Sequence, residues 1–347
     1  MGKPSRTICR LLFFTAFITS FLEAAVTSEK DKTLIIYSGP TSSQCNRKYQ
    51  KERKDRSGTM RVVEANYHRN FQFFLNHGMP HSYEDHKNFH VALVLTKETA
   101  EMYDEDLKRI KAIHPHTSIL LREDRCFYAE SLRIALKRYE GRYNYYILLT
   151  AELVGPFQPF HELAHYWAYY FLSHLTESTK LVGLSFSCEV HPHVQSMLWA
   201  TDELGLSAIV NAGCVYNCVH ENQNFTAYQD FFKRFELGIS DAILEEGYEL
   251  AVVNAAQKFR LSLVNDEYYA NNHKYCGKNM WFSGRGGATF DDKNVPLGNL
   301  FWKSTATAYP HQIEHTIYYQ DSFHMKTRPE RHMFFDQCQR LPDLPGY

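Results

Sequence analysis

The sequence predicts an α/β fold, a Rossmann-type sheet flanked by helices, and two observations carry that expectation. Short apolar runs recur along the first half of the chain at strand length. Between them lie segments whose apolar residues recur at helical spacing.

The elements follow in order. "KTLIIYSG", Lys32 to Gly39, reads as a first strand ending in a turn. The charged stretch "QCNRKYQKERKDRSG" reads as a solvated loop or short helix. Val62 to Gly78 mixes apolar and polar residues at helical spacing and stops at Gly78-Met79-Pro80. "FHVALVLT", Phe89 to Thr96, is a second strand, and "HTSILLRED" a third. "CFYAESLRIALKRYEGR" is a helix ending near Gly141. Tyr145 to Leu149 is unbroken apolar sequence, as in a strand covered on both faces. Thr150-Ala151-Glu152 ends it, and Gly155-Pro156 marks a turn. Phe160 to Leu175 has helical spacing. A strand follows at Leu181 to Ser187, then a loop through His191-Pro192-His193 and a helix. "FKRFELGISDAILEEGYELAVV" is a helix closing at Gly247, then a strand. The last hundred or so residues are loop-rich, and no repeat or Pro/Ser-rich linker divides the chain.

Composition bounds the function classes. In 347 residues, 38 Lys+Arg stand against 39 Asp+Glu, so no global charge recruits nucleic acid or anionic membrane. Aromatics make up 15%, which suits sugar-binding clefts and equally an aromatic core. Lys3, Arg6 and Arg10 precede the apolar run Leu11 to Leu22 and then small residues, the layout of a secretory signal peptide. Extended from Ile8 to Val26, the same stretch reads as an uncleaved signal-anchor, against which Glu23 counts. Either reading makes residues 1–26 a targeting segment, and residues 27–347 one domain in the ER or Golgi lumen or outside the cell. Eight cysteines, one of them in the targeting segment, fit an oxidising compartment in which some pair, and the seven that remain leave at least one unpaired. Asn224-Phe225-Thr226 is a glycosylation sequon.

Several motifs point away from other chemistries. "GRGG" at Gly284 to Gly287 lacks the spacing of a dinucleotide fingerprint, and no nucleophile elbow is present. His191 and His193 near Glu189, and the "CVYNCVH" stretch, have partial metal-ligand spacing. A loop role for the first and disulfide chemistry for the second are the simpler readings. The constellation that points to chemistry is distributed. A strand ends in a polar break and Gly-Pro. A second leads through "KLVGLS" to "HPHVQSM" at a helix start. "FELGISDAILEEGY" places Glu236 at the beginning of a helix, where the dipole favours a carboxylate.

In this order the pieces resemble nucleotide-sugar glycosyltransferases of the GT-A type. The resemblance is to the rhamnan-synthesis F family and its uncharacterised eukaryotic relatives. It rests on "YNYYILLTAELVGPF", on "KLVGLSFSCEVHPHVQSM" with His193, Gln195 and Ser196, on "FELGISDAILEEGY", and in part on "NLFWKSTATAYPHQIEHTIYY". It spans roughly Asn144 to Tyr318. It implies a GT-A-type mixed sheet and transfer of a hexose or deoxyhexose from a nucleotide sugar to a glycan hydroxyl. Donor contacts would come from Thr150, Glu152, Gly155, Lys180 and Gly183, and acceptor contacts from His193, Gln195 and Ser196. The general base would be Glu236, with Asp202 as second choice. Where such enzymes carry Asp-x-Asp for a divalent ion, this chain has Thr150-Ala151-Glu152. That leaves Glu152 to hold Mn²⁺ or Mg²⁺ together with substrate phosphates, or cations such as Lys180 or Arg285 to neutralise the diphosphate. The rival reading is a secreted, non-catalytic glycan-binding or interaction protein that retains the fold.

Overall fold

The structure, a computed structural model, describes residues 32–41, 51–54, 60–63, 67–80, 82–157, 165–187, 190–191, 193–216, 225–253, 259–262 and 300–303. First come β1 (Thr33–Ser38), β2 (Lys51–Lys54), β3 (Met60–Val63), α1 (Tyr67–His77), α2 (Tyr83–Asn88) and β4 (Phe89–Thr96). Next are α3 (Lys97–Met102), α4 (Asp104–Ile113), β5 (Thr117–Arg122), α5 (Ala129–Tyr139), β6 (Tyr145–Thr150), β7 (Leu153–Val154) and α6 (Ala168–Leu172). Then follow β8 (Thr179–Gly183), β9 (Phe186–Ser187), β10 (His193–Val194), β11 (Leu198–Asp202) and α7 (Glu203–Asn211). A continuous helical run comprises α8 (Phe225–Phe231), a π-helical segment (Phe232–Leu237) and α9 (Gly238–Glu245). β12 (Glu249–Val252), β13 (Phe259–Ser262) and β14 (Trp302–Lys303) complete the described elements.

Among the described residues the main sheet has eight strands, in the order β13-β12-β8-β11-β6-β1-β4-β5. β1 lies parallel between β6 and β4, and β5 continues that parallel half. β11 runs antiparallel to both β6 and β8, which makes the sheet mixed. Successive side chains of a strand point to opposite faces. Ile35, Tyr37, Val91, Leu93, Ile147 and Leu149 therefore pack on one face with Phe71 and Phe74 of α1, Leu107 of α4 and Phe171 of α6. Leu34, Ile36, Ala92, Val94 and Leu148 pack on the other with Leu132 of α5, Ile209 of α7, and Phe235 and Ile243 of the long helical run. Both faces are covered, which is why these strands read as unbroken apolar runs. The α/β class expected from the sequence is the class observed.

Three local expectations differ from the structure. Part of the charged stretch forms a hairpin, with Lys51 opposite Val63 and Lys54 opposite Met60. The β-branched Val62 and Val63 favour that strand, so the helix expected from Val62 begins at Tyr67. In the segment expected as a helix from Phe160, residues 165–175 are described and only Ala168–Leu172 is helical. Just before it, Tyr166 Oη and Trp167 Nε1 both donate to the Gly78 carbonyl, at 2.6 and 2.8 Å. Downstream of His193 the chain forms β10, a turn and β11 before any helix starts. Leu198, Trp199 and Ala200 are fully buried between β6 and β8, and a short apolar run covered on two sides looks the same as a buried helical turn by periodicity. The loop-rich C-terminal reading, the sequon's Asn224, Gly284 to Gly287 and Arg285 lie outside the described residues.

Candidate active site

The site is built at the carboxyl ends of β1 and β6, where open α/β sheets bind ligands. The segment after β6 is held by its main chain. Thr150 N–H donates to the Met197 carbonyl at 3.1 Å, and Ala151 N–H to the Ser38 carbonyl at 3.0 Å. The wholly buried Asn70 of α1 donates its side-chain amide to the Ala151 carbonyl at 2.8 Å. Glu152 follows at a fixed place. The Thr150 hydroxyl is buried and has no hydrogen-bond partner among the described residues, a cost that a ligand or a water would relieve.

The helical run approaches from the second face. Its π-helical segment lets Gly238 N–H reach back to the Lys233 carbonyl, five residues earlier. A Cβ on Gly238 would come within 3.2 Å of Cys214 Sγ and of the Lys233 carbonyl, so glycine permits that packing. π-segments inside helices are frequent at functional sites. Here Phe235 is wholly buried while the neighbouring Glu236 side chain keeps 18% exposure. Glu236 lies in the interior of the helical run. The expectation that it starts a helix is corrected, and with it the dipole argument, because that field fades within the first turn.

His193 faces Glu236. Its Nδ1 lies 2.8 Å from the His191 carbonyl, which can only accept, so Nδ1 carries the proton. Nε2 therefore presents a lone pair, 4.0 Å from Glu236 Oε1. That is too far for a direct hydrogen bond. Burial pushes the His193 pKa down to about 4, so the ring is neutral at pH 7. Both groups are acceptors, so a hydroxyl at this place has one proton to give and can donate it to one of the two. His191 Nε2 stands 2.9 Å from Asp241 Oδ1, close enough for an ion pair but poorly aligned for a hydrogen bond.

Tyr128, at the start of α5, joins these parts. Its hydroxyl is 2.7 Å from Ser196 Oγ, and its ring packs edge-on against Phe231 and Phe235 of the Glu236-bearing helix. Burial raises its pKa well above that of a free phenol, and the charges of Glu236 and Glu152 raise it further. Ser196 and the charges of Glu152 and Glu236 thus meet at Tyr128, His193 stands beside Glu236, and Thr150 is bonded through its main chain to Met197, next to Ser196. Tyr128 itself escaped the sequence reading, since nothing local distinguishes it among 23 tyrosines.

The other sequence-derived candidates lie elsewhere or have structural tasks. Asp202 pairs in register with Tyr145, at the opposite end of β6 from Thr150, so about 15 Å of strand separates it from the site. It caps α7 by accepting from Gly205 N–H at 2.9 Å, and it meets Lys180 Nζ at 2.6 Å. Lys180 is therefore at that far end too, engaged by a carboxylate. Gly183 is at the near end, but a Cβ there would come within 2.1 Å of Val194 Cγ1, so its smallness serves packing. Gly155, at φ +144°, lets Leu300 and Phe301 approach closely; an added Cβ would meet the Leu300 carbonyl at 2.4 Å. Gln195 accepts from the Ser185 hydroxyl at 2.5 Å and ties β10 to β9's approach. Among the described residues no three His, Cys, Asp or Glu side chains could together hold a metal. Glu152 alone does not make a resident ion site.

No sequence-family profile matches this chain, and no curated protein sequence matches it. Solved structures do. A 4-diphosphocytidyl-2C-methyl-D-erythritol synthase from Anaerococcus prevotii is 12% identical at a TM-score of 0.36, covering 72% of this chain and 98% of its own. A putative glucose-1-phosphate thymidylyltransferase from Bacillus anthracis is 9% identical at 0.33, covering 71% and 95%. HddC from Yersinia pseudotuberculosis is 10% identical at 0.32, covering 70% and 99%. The fold class rests on this chain's own strand order and register.

Proposed function

We propose that this protein is a glycosyltransferase that moves a hexose or deoxyhexose from a nucleotide sugar to a glycan hydroxyl. The observation that carries the reading is Glu236 facing neutral His193 across 4.0 Å at the carboxyl end of the sheet. The resemblance to the rhamnan-synthesis F family of GT-A-type enzymes supports it. In this reading the acceptor hydroxyl donates to Glu236, with neutral His193 beside it. Glu236 takes its proton as the acceptor oxygen bonds to the sugar carbon, and the bond to the nucleoside diphosphate breaks. Thr150 and Glu152 face the donor. Asp202 and Lys180 have no part in the reaction.

The basic and apolar residues of the first 26 positions support delivery to the secretory pathway, with residues 27–347 as one luminal or secreted domain. Those positions lie outside the described residues; among the described ones no helix is long and apolar enough to cross a membrane.

Thermal shifts with UDP, GDP and dTDP, alongside free oligosaccharides, test the reading. The enzyme is expected to be stabilised by at least one nucleotide and to release it from the matching nucleotide sugar. A shift with oligosaccharides alone supports the non-catalytic glycan binder, which the single carboxylate after β6 favours.

A further inference from the structure

The loop that delivers Tyr128 is strained in a way that needs a reason. Cys126 and Phe127 are consecutive non-glycine residues in the left-handed region, at φ 50° and 52°. Each costs about 1–2 kcal/mol relative to ordinary backbone. Cys126 is disulfide-bonded, a covalent tie on the first of the two. Arg122 donates to the Glu123 carbonyl at 3.0 Å, and buried Glu130 takes both an Nε–H and an NH2 donor of Arg133 at 2.8 and 2.7 Å. The Phe127 ring lies against Tyr228 and Phe231. Tyr128 follows directly on these two residues. It touches two separate pieces of the candidate site. Its ring lies on Phe231 and Phe235, one residue from Glu236, and its hydroxyl binds Ser196 in the turn between β10 and β11. His193 leads into that same turn.

We propose that Tyr128 is a positioning residue of this site: it locks the His193–Ser196 segment to the helix bearing Glu236, and so sets where an acceptor hydroxyl meets that carboxylate. The inference rests on the transferase reading above. The phenol remains protonated at working pH, because burial and both neighbouring carboxylates oppose its ionisation. It offers an O–H and takes no proton, which fits positioning and not base chemistry.

The test compares wild type with Y128F, S196A and the double variant, using UDP-glucose, GDP-fucose and dTDP-rhamnose as donors. Phe keeps the ring packing and removes only the hydroxyl. Y128F is expected to unfold cooperatively, to keep the donor KM of wild type, and to lose about 10- to 100-fold in kcat. S196A is expected to show the same split, and the double variant to be no worse than either single one. If Y128F misfolds, S196A alone makes the same comparison. Wild-type kcat in Y128F or S196A, a loss confined to KM, or losses that multiply in the double variant would each overturn the positioning role while leaving the transferase reading in place. A wild-type protein that neither binds nor turns over any donor removes the transferase reading and this inference together.

Discussion

His193 and Asp202 show how burial decides what a polar residue can do. Folded His193 titrates near 4 and unfolded histidine near 6.5, so the unfolded chain binds the proton more readily between those values. Stability from this residue is complete above pH 6.5 and is lost as pH falls toward 4. Between pH 7 and 4.5 the loss amounts to about 2–3 kcal/mol. Urea unfolding of wild type and H193Q at the two pH values should show a correspondingly shallower decline in the variant. Burial also lowers His90 to about 4, and its contribution remains in both proteins. Asp202 is bound to Lys180, whose side chain is only 7% exposed. Removing the carboxylate leaves that ammonium buried without its ion-pair partner and takes the cap from α7. D202A should therefore cost about 3 kcal/mol in urea while leaving donor turnover per folded molecule as in wild type. A large fall in turnover would return Asp202 to the reaction.

At the scale of elements, the seam between β8 and β10 is a place where Gly183 leaves room for the Val194 side chain. G183A should cost about 1–3 kcal/mol through contact with Val194. Adding V194A should recover part of that loss, so the two changes do not add. Strictly additive effects in urea melts would show that the contact is not shared. The parallel half of the sheet was legible in the sequence because β1, β4 and β6 are covered on both faces and read as apolar runs. β11 was not, because Leu198 to Ala200 is too short to separate strand from helix by period. The family resemblance offered Gly155 and Gly183 as donor contacts. In the fold they admit Leu300 and Val194 instead. Motif order pointed to Glu152, His193, Ser196 and Glu236. It could not reveal Tyr128, which reaches Ser196 across 68 residues through a turn of left-handed backbone that no local pattern announces.

Across the whole molecule, a mixed sheet of eight strands among the described residues carries two apolar layers, with the Asp202–Lys180 pair at one end of the central strands and the candidate site at the other. β11 inverts the direction of the sheet between β6 and β8, and its entry turn holds Ser196 beside the end of β6. That is how segments far apart in the chain come to lie beside the helix of Glu236. The kcat of E236Q for nucleoside diphosphate release from a nucleotide sugar, with nucleotide affinity measured in the same sample, addresses this arrangement most directly. A loss of about 10²- to 10⁴-fold in kcat with affinity preserved is the predicted result. Undiminished turnover in E236Q would contradict the assignment of proton transfer to that carboxylate.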